Sequence, residues 1–317
     1  MDVISLGEAM VLFTPVEDGP LRYARNYTSR IAGAETNTLI GLAKLGKKAG
    51  WISRLGKDEF GAMILSSVRG EGVDVSRVLI DADAPTGLFF KERANEARVN
   101  VLYYRNGSAA SFLRKSDIDE DYVKNAGFLY ITGITPALSE SASEAVFHAV
   151  ELARKHQKPV VFDPNLRKKL WDEERARRTL LELVKQSDIV LPGLREGRFL
   201  FGTDDEKAIA ESIHQLGAET AVVKLGAKGA YYSAGNESGY EQGYEIQRVA
   251  DPVGAGDGFA AGVLSGLIED IPLREAVKRG CAVGAMVTAV NGDIEGLPDR
   301  DALFAFMEQS EEDDVNR

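Results

Sequence analysis

A chain of 317 residues, 44% hydrophobic and 27% charged, has the makeup of a soluble globular protein able to bury a large core. Its net charge of −11 and the lack of any basic block argue against nucleic acid as a partner. No apolar run approaches the roughly 20 residues needed to cross a bilayer, and the single cysteine, Cys281, rules out an internal disulfide. The opening Met1-Asp2-Val3-Ile4-Ser5-Leu6-Gly7 lacks the basic region of a signal peptide and reads as a strand, which makes the cytoplasm the expected compartment.

In chain order, Val3–Leu6 is a strand ending at Gly7-Glu8. Residues 9–31 mix Thr, Pro, Asp, Gly, Tyr and Arg without helical period and read as short strands and turns. A helix over 33–46 with a glycine stop follows, then a strand at 49–55 and a helix at 58–71. Residues 84–106 alternate apolar and charged positions, as strands with one wet face do, around a polar turn at 94–96. Beyond residue 110 strands at 128–132, 159–162, 188–191 and 221–224 alternate with helices at 139–156, 172–185, 206–216 and 258–269. A strand pair at 230–233 and 244–249 brackets the polar loop 234–243, and helices at 273–290 and 299–307 precede a polar tail. This alternation predicts an α/β fold, a mostly parallel sheet with helices on both faces. Residues 9–31 and 84–106 are expected to join as a small second sheet inserted into one domain spanning 1–317. Cys281, among Ala282, Val283 and Ala285, reads as core packing.

The most informative stretch is Asp251-Pro252-Val253-Gly254-Ala255-Gly256-Asp257, followed by the apolar run Phe259–Leu264. A Gly-Ala-Gly turn at a helix start offers free N–H groups and the positive end of a helix dipole to an anion. Asp257 in the first helical turn could take a proton from an attacking hydroxyl, or serve only as a helix-start residue. Phe162-Asp163-Pro164-Asn165-Leu166-Arg167 ends a strand where open α/β sheets place ligands, although a Pro-Asn turn is the plainer reading. There is no P-loop motif, no kinase-type H-R-D or D-F-G series, and no G-x-G-x-x-G after the first strand.

The string D-P-V-G-A-G-D resembles the D-T-x-G-A-G-D signature of the ribokinase/PfkB sugar kinases, in the form common among their 2-keto-3-deoxygluconate kinases. Further motifs follow in the family's order. Ala32-Gly33-Ala34-Glu35-Thr36-Asn37 is similar to the family's first signature, with Ala32 in place of its first glycine. Tyr103-Tyr104-Arg105-Asn106-Gly107-Ser108-Ala109-Ala110-Ser111 is similar to the Y-Y-R-x-G-S-A-A-S of ketodeoxygluconate kinases. Val190–Glu196 aligns with the N-x-x-E region, with Gly193 in place of asparagine, and Lys224–Ala230 resembles the K-x-G-x-x-G nucleotide loop.

The resemblance implies a ribokinase-like fold with a small β lid and an ATP- and Mg²⁺-dependent kinase. Asp257 would be the catalytic base, with Gly254, Ala255 and Gly256 forming the anion hole. Gly33, Ala34, Asn37, Phe89, Tyr103, Arg105 and Arg167 would contact the substrate. Asn165, Arg167, Lys224, Gly226, Gly229, Gly254 and Gly256 would face the nucleotide. Glu196 would act indirectly on magnesium, and Asp251 would join a monovalent cation site for K⁺. The implied substrate is a sugar acid, 2-keto-3-deoxygluconate; Arg105 and Arg167 suit its carboxylate or, alternatively, the γ-phosphate. A fructokinase is the enzymatic alternative and a non-catalytic sugar-binding regulator the other. A homodimer or higher homo-oligomer is expected, joined through an outer lid face that carries Leu21, Tyr23 and Phe89 or Phe90.

Overall fold

Strands whose residues are apolar on both faces stack into one large sheet, because only helices on both sides can dry such strands. The computed structural model describes the chain apart from residues 18, 96, 97, 316 and 317. Its large sheet holds nine strands: β1 (Val3–Leu6), β4 (Ala49–Gly56), β5 (Asp74–Asp81), β8 (Phe128–Thr132), β9 (Val160–Asp163), β10 (Ile189–Val190), β11 (Thr220–Lys224), β12 (Gly229–Ala234) and β13 (Glu237–Gln242). Their order is β13-β12-β11-β10-β9-β8-β1-β4-β5, parallel except for the antiparallel pairs around β12. A separate sheet holds β2 (Met10–Pro15), β3 (Tyr27–Ala32), β6 (Leu88–Asn95) and β7 (Arg98–Tyr104) in the order β3-β2-β6-β7. It joins the two inserted segments through the parallel pair β2–β6, with antiparallel pairs outside.

Side chains alternate between two cores. On β1, Val3 faces one core and Ile4 and Leu6 the other. The first core is covered by α1 (Ala34–Lys44), α2 (Glu59–Gly70), α9 (Ala255–Ile268), α10 (Leu273–Thr288) and α11 (Arg300–Val315). The second is covered by α3 (Glu120–Lys124), α5 (Glu140–Lys155), α6 (Glu173–Lys185), α7 (Leu194–Phe201) and α8 (Glu206–Gln215), with the short α4 (Thr135–Leu138) beside them. α9 is buried along Asp257–Gly266 because it lies against α10 at backbone distance. A Cβ on Gly262 would come within 2.6 Å of the Arg279 carbonyl oxygen. Cys281 is buried on α10 and burial pushes its thiol up to about 12, as a packing role requires.

Several boundaries differ from the sequence reading. The partner of β12 is Glu237–Gln242 and not 244–249: Gly235 takes a positive φ of 56° and the chain returns at once through Gly235-Asn236. β5 was not expected, since half-exposed Ser76, Arg77, Leu79 and Ile80 belong to an edge strand. α7 was also not expected; it begins at Leu194, where Glu196 accepts a hydrogen bond from the Gly193 N–H at 2.6 Å. α9 starts three residues earlier than expected, and α11 runs on to Val315. The turn expected at 94–96 lies partly outside the described residues.

Candidate active site

The start of α9 is shaped by Gly254, which caps the helix in the left-handed region at φ +82°. A side chain there would be strained and would meet the Asp293 carbonyl oxygen at 2.9 Å. Past it, the first-turn N–H groups of α9 have no acceptors within the helix and carry its positive dipole end. Asp257 sits in that turn and is buried. Asn37 Nδ2 donates to Asp257 Oδ2 at 2.8 Å, and Asn165 Nδ2 lies 3.4 Å from Oδ1. Burial pushes the Asp257 carboxyl up to about 7; the Asn37 hydrogen bond and the Arg167 charge oppose the rise, and the charges of Asp163 and Asp293 add to it. Asn37 Oδ1 is buried with no hydrogen-bond partner. That oxygen is a spare acceptor beside the carboxylate, as a bound hydroxyl would need.

The strand end at β9 supplies the next groups. Asp163 is fully buried; its Oδ1 accepts from the Asn165 N–H at 3.1 Å and its Oδ2 from Lys224 Nζ at 2.6 Å. Asn165 holds a positive φ of 34°, a costly conformation for a residue other than glycine and one that clusters at functional sites. Against the cost of burial, the charges of Asp163 and Glu196 hold the Lys224 ammonium above its usual value. Burial raises the Glu196 carboxyl, with Lys224 opposing, and its two oxygens accept from the N–H groups of Leu166 and Gly193. Glu196 therefore pins the β9 and β10 loops together, and Gly193 contributes its N–H where the family pattern has a side chain. Arg167 is exposed at the mouth. Gly226 and Gly229 both have positive φ, and a Cβ on Gly229 would lie 2.0 Å from the Glu241 carbonyl oxygen. The β11–β12 turn thus explains Gly229 on its own.

The small sheet turns one face toward α1 and the α9 loop. Cross-strand pairs place Leu12, Phe89 and Tyr103 on it, and period-two alternation adds Lys91 and Arg105. Phe89 and Tyr103 stack with ring centroids 5.5 Å apart, and the Arg105 guanidinium lies 5.5 Å from the Tyr103 ring. Arg105 is not free to offer its whole charge to a ligand: its Nε donates to Glu8 Oε2 at 2.7 Å, while Ser108 bonds the other Glu8 oxygen. Gly33 precedes α1 in extended backbone, where a Cβ would lie 2.6 Å from the Glu8 carbonyl oxygen, and the adjacent Ala34 is buried. Ala32 ends β3 paired with Met10, in a conformation that needs no glycine. Asp251 is ion-paired with Lys91.

Of the expected residues, Asp257, Asn37, Asn165, Lys224, Glu196 and the Gly254–Gly256 turn gather on one side, and Phe89, Tyr103 and Arg105 on the other. Glu8, Asp163, Lys91 and Asp293 were not expected. Asp163 heads the D-x-N-x-R run and Glu8 follows the first strand, so both had a positional signal. Lys91 had only its spacing from Phe89, and Asp293 had none.

A sequence model described as "pfkB family carbohydrate kinase" matches residues 1–300. The chain belongs to the pfkB family of carbohydrate kinases. This carbohydrate kinase is 40% identical over 309 residues to a protein of Bacillus subtilis named 2-dehydro-3-deoxygluconokinase, covering 97% of this chain and 95% of that one. Among solved structures, the PfkB protein from Polaromonas sp. JS666 is 44% identical with a TM-score of 0.89, covering 96% of this chain and 99% of that one. The fructokinase from Vibrio cholerae O395, solved with fructose, ADP and a calcium ion, is 28% identical with a TM-score of 0.85, covering 96% and 99%. Among the described residues of this carbohydrate kinase, no cluster of three carboxylate, histidine or cysteine side chains could hold a metal by itself. No described helix is long and apolar enough to cross a membrane.

Proposed function

We propose that this carbohydrate kinase transfers the γ-phosphoryl group of ATP to the terminal hydroxyl of 2-keto-3-deoxygluconate. The observation that carries the reading is the buried Asp257 at the start of α9, with the unpartnered Asn37 Oδ1 beside it. Asn37 positions a sugar hydroxyl, and Asp257 accepts its proton as it attacks phosphorus. The N–H groups of Gly254, Ala255, Gly256 and Asp257 receive the negative charge that develops on the transferred group. Lys224, Asn165 and Arg167 line the phosphate path, and Gly226, whose Cβ position meets nothing within 4 Å, leaves backbone open to the nucleotide, whereas Gly229 serves the turn beside it. Bound Mg²⁺ supplies charge neutralisation on the phosphates. The donor set fits a metal held mainly by phosphate oxygens and water, with Glu196 and Asp163 reached indirectly.

The small sheet, built from residues of about 9–31 and 84–106 within one kinase domain of residues 1–317, serves as a lid that shuts out water as a competing acceptor. Gly33, Ala34, Phe89, Tyr103 and Arg105 form its substrate side. The name of the Bacillus subtilis relative and the pair Arg105 and Arg167 support the sugar acid. One observation favours fructose instead: Glu8 already neutralises Arg105. Intact Asp257 speaks against a non-catalytic regulator. The outer lid face supports a homodimer, and the cytoplasm is the proposed compartment. The potassium ion implied for Asp251 by the resemblance meets a lysine there. The test is ADP release over a panel of sugars and sugar acids. 2-Keto-3-deoxygluconate should have the highest kcat/KM; a neutral hexose in first place would replace the sugar acid and keep the sugar kinase.

A further inference from the structure

Lys91 lies on the lid strand β6 two residues after Phe89, and its side chain is carried inward and buried. A buried ammonium needs an anion against it, and Lys91 finds Asp251, 160 positions away in the chain. Asp251 heads the loop that ends in the anion hole, and its second oxygen accepts the Val253 N–H at 3.1 Å. Asp293 faces the same ammonium: burial pushes its carboxyl up to about 6, and the Lys91 charge pulls the other way. The Asp293 backbone also lies under Gly254. One positive charge and two carboxylates therefore sit directly behind the turn that receives the phosphoryl group.

We propose that the Lys91 ammonium, delivered by the lid, is the monovalent cation of this loop, so that the enzyme uses no potassium ion at Asp251. A potassium ion on the Asp251 carboxylate would be a second positive charge in contact with the first, in a site dry enough for the repulsion to be severe. The residues present do not fit a resident potassium ion there. Because Lys91 belongs to the lid and Asp251 to the catalytic loop, the pair makes loop order depend on lid position. Lys91 is thus a positioning residue: it acts on the transferred group through the Asp251–Gly254 backbone.

The activity arm of the test rests on the kinase reading; the unfolding arm does not. ADP release with ATP, Mg²⁺ and 2-keto-3-deoxygluconate, and thermal unfolding, are measured in tetramethylammonium chloride and in KCl at equal ionic strength. The wild-type protein should show the same rate and the same unfolding midpoint in both salts. Lys91→Met should lose about tenfold or more in kcat/KM in tetramethylammonium, as a buried carboxylate left without its partner demands. KCl should restore its rate and raise its midpoint selectively, while Lys91→Arg, which keeps the charge, stays independent of potassium. Potassium stimulation or stabilisation of the wild type would overturn the proposal. So would a Lys91→Met protein as active as wild type, or one that potassium neither rescues nor stabilises. If Lys91→Met does not fold in either salt, the wild type and Lys91→Arg decide, and potassium dependence in either rejects the proposal. If no acceptor is turned over, the kinase reading falls and the unfolding midpoints alone judge Lys91.

Discussion

Asp257 is a carboxylate kept out of water, so its proton affinity carries the pH behaviour of the site. Burial raises its carboxyl to about 7, and only the ionised form can take a proton from the hydroxyl. The sign follows: as pH falls below that value the base is lost. kcat/KM should drop about tenfold per unit on the acid side and level off above it, a limb read from initial rates across pH 5 to 8. An acid limb centred near the ordinary carboxylate range would show that the site does not raise Asp257 in the working enzyme. Arg105 gives a second residue-scale outcome. A charge-assisted hydrogen bond to a carboxylate is worth about 1.5–3 kcal/mol. Arg105→Ala should accordingly raise the KM for 2-keto-3-deoxygluconate by about 10- to 150-fold and change that for fructose far less. Glu8 complicates this position, because the variant leaves its buried carboxylate without a cation. An equal loss for both acceptors would mean that Arg105 serves Glu8 and the lid and does not read the carboxylate. These contacts mark the limit of sequence reading at this scale. The types of Asp257, Asn37 and Arg105 carried chemistry, but their pairing partners lie 220 and 97 positions away and follow from the tertiary fold.

At the scale of elements, apolar runs with glycine nearby, or with Pro159 and Pro164 on either side in the case of β9, located β1, β4, β8, β9 and β11, because strands dry on both faces admit little else. The edge was harder. β13 is polar throughout, and β5 sets Val75 and Val78 against the core but leaves Leu79 and Ile80 exposed among charged neighbours, so the ladder bonds are what make these edge segments strands. α7 is only eight residues and depends on the Glu196 cap that the motif reading had assigned to magnesium. α9 was legible as buried from its small residues, and its packing against α10 turns that into a measurable claim. Gly262→Ala would drive a methyl group to 2.6 Å from the Arg279 carbonyl oxygen and 2.7 Å from Gly280 Cα. We expect a loss of about 1–3 kcal/mol in urea unfolding, the scale of overpacking a tight core. Unchanged stability would mean that the two helices separate without cost. The anion-hole turn at the head of α9 would then be less rigid than its function needs.

At the scale of the molecule, the small sheet turns one face toward Asp257 and the other outward, an aromatic face that α2 covers only in part, where Phe60 meets Phe13 edge-on at 5.8 Å. The sequence reading put Leu21, Tyr23 and Phe89 or Phe90 on the outside. Phe90 is there, stacked on Phe13 with centroids 5.3 Å apart and edge-on to Tyr27 and Tyr104, whereas Phe89 turns inward. Tyr23, outside the sheet in a short turn, and Tyr104 are 71% and 65% exposed. Such an aromatic face calls for a partner, and a second copy offers a matching one. Light scattering should give the mass of a dimer for the wild type and a shift toward monomer for Tyr104→Lys; a wild-type monomer at working concentration would reject the lid dimer. The account as a whole stands on Asp257 as the base that makes this fold a kinase. The most direct measurement is steady-state ADP release with 2-keto-3-deoxygluconate by the wild type and by Asp257→Asn. The account predicts that kcat falls by about 10²- to 10⁴-fold or more while KM changes far less. A variant within a few-fold of the wild-type kcat would contradict it, and would reduce Asp257 to a helix-start residue.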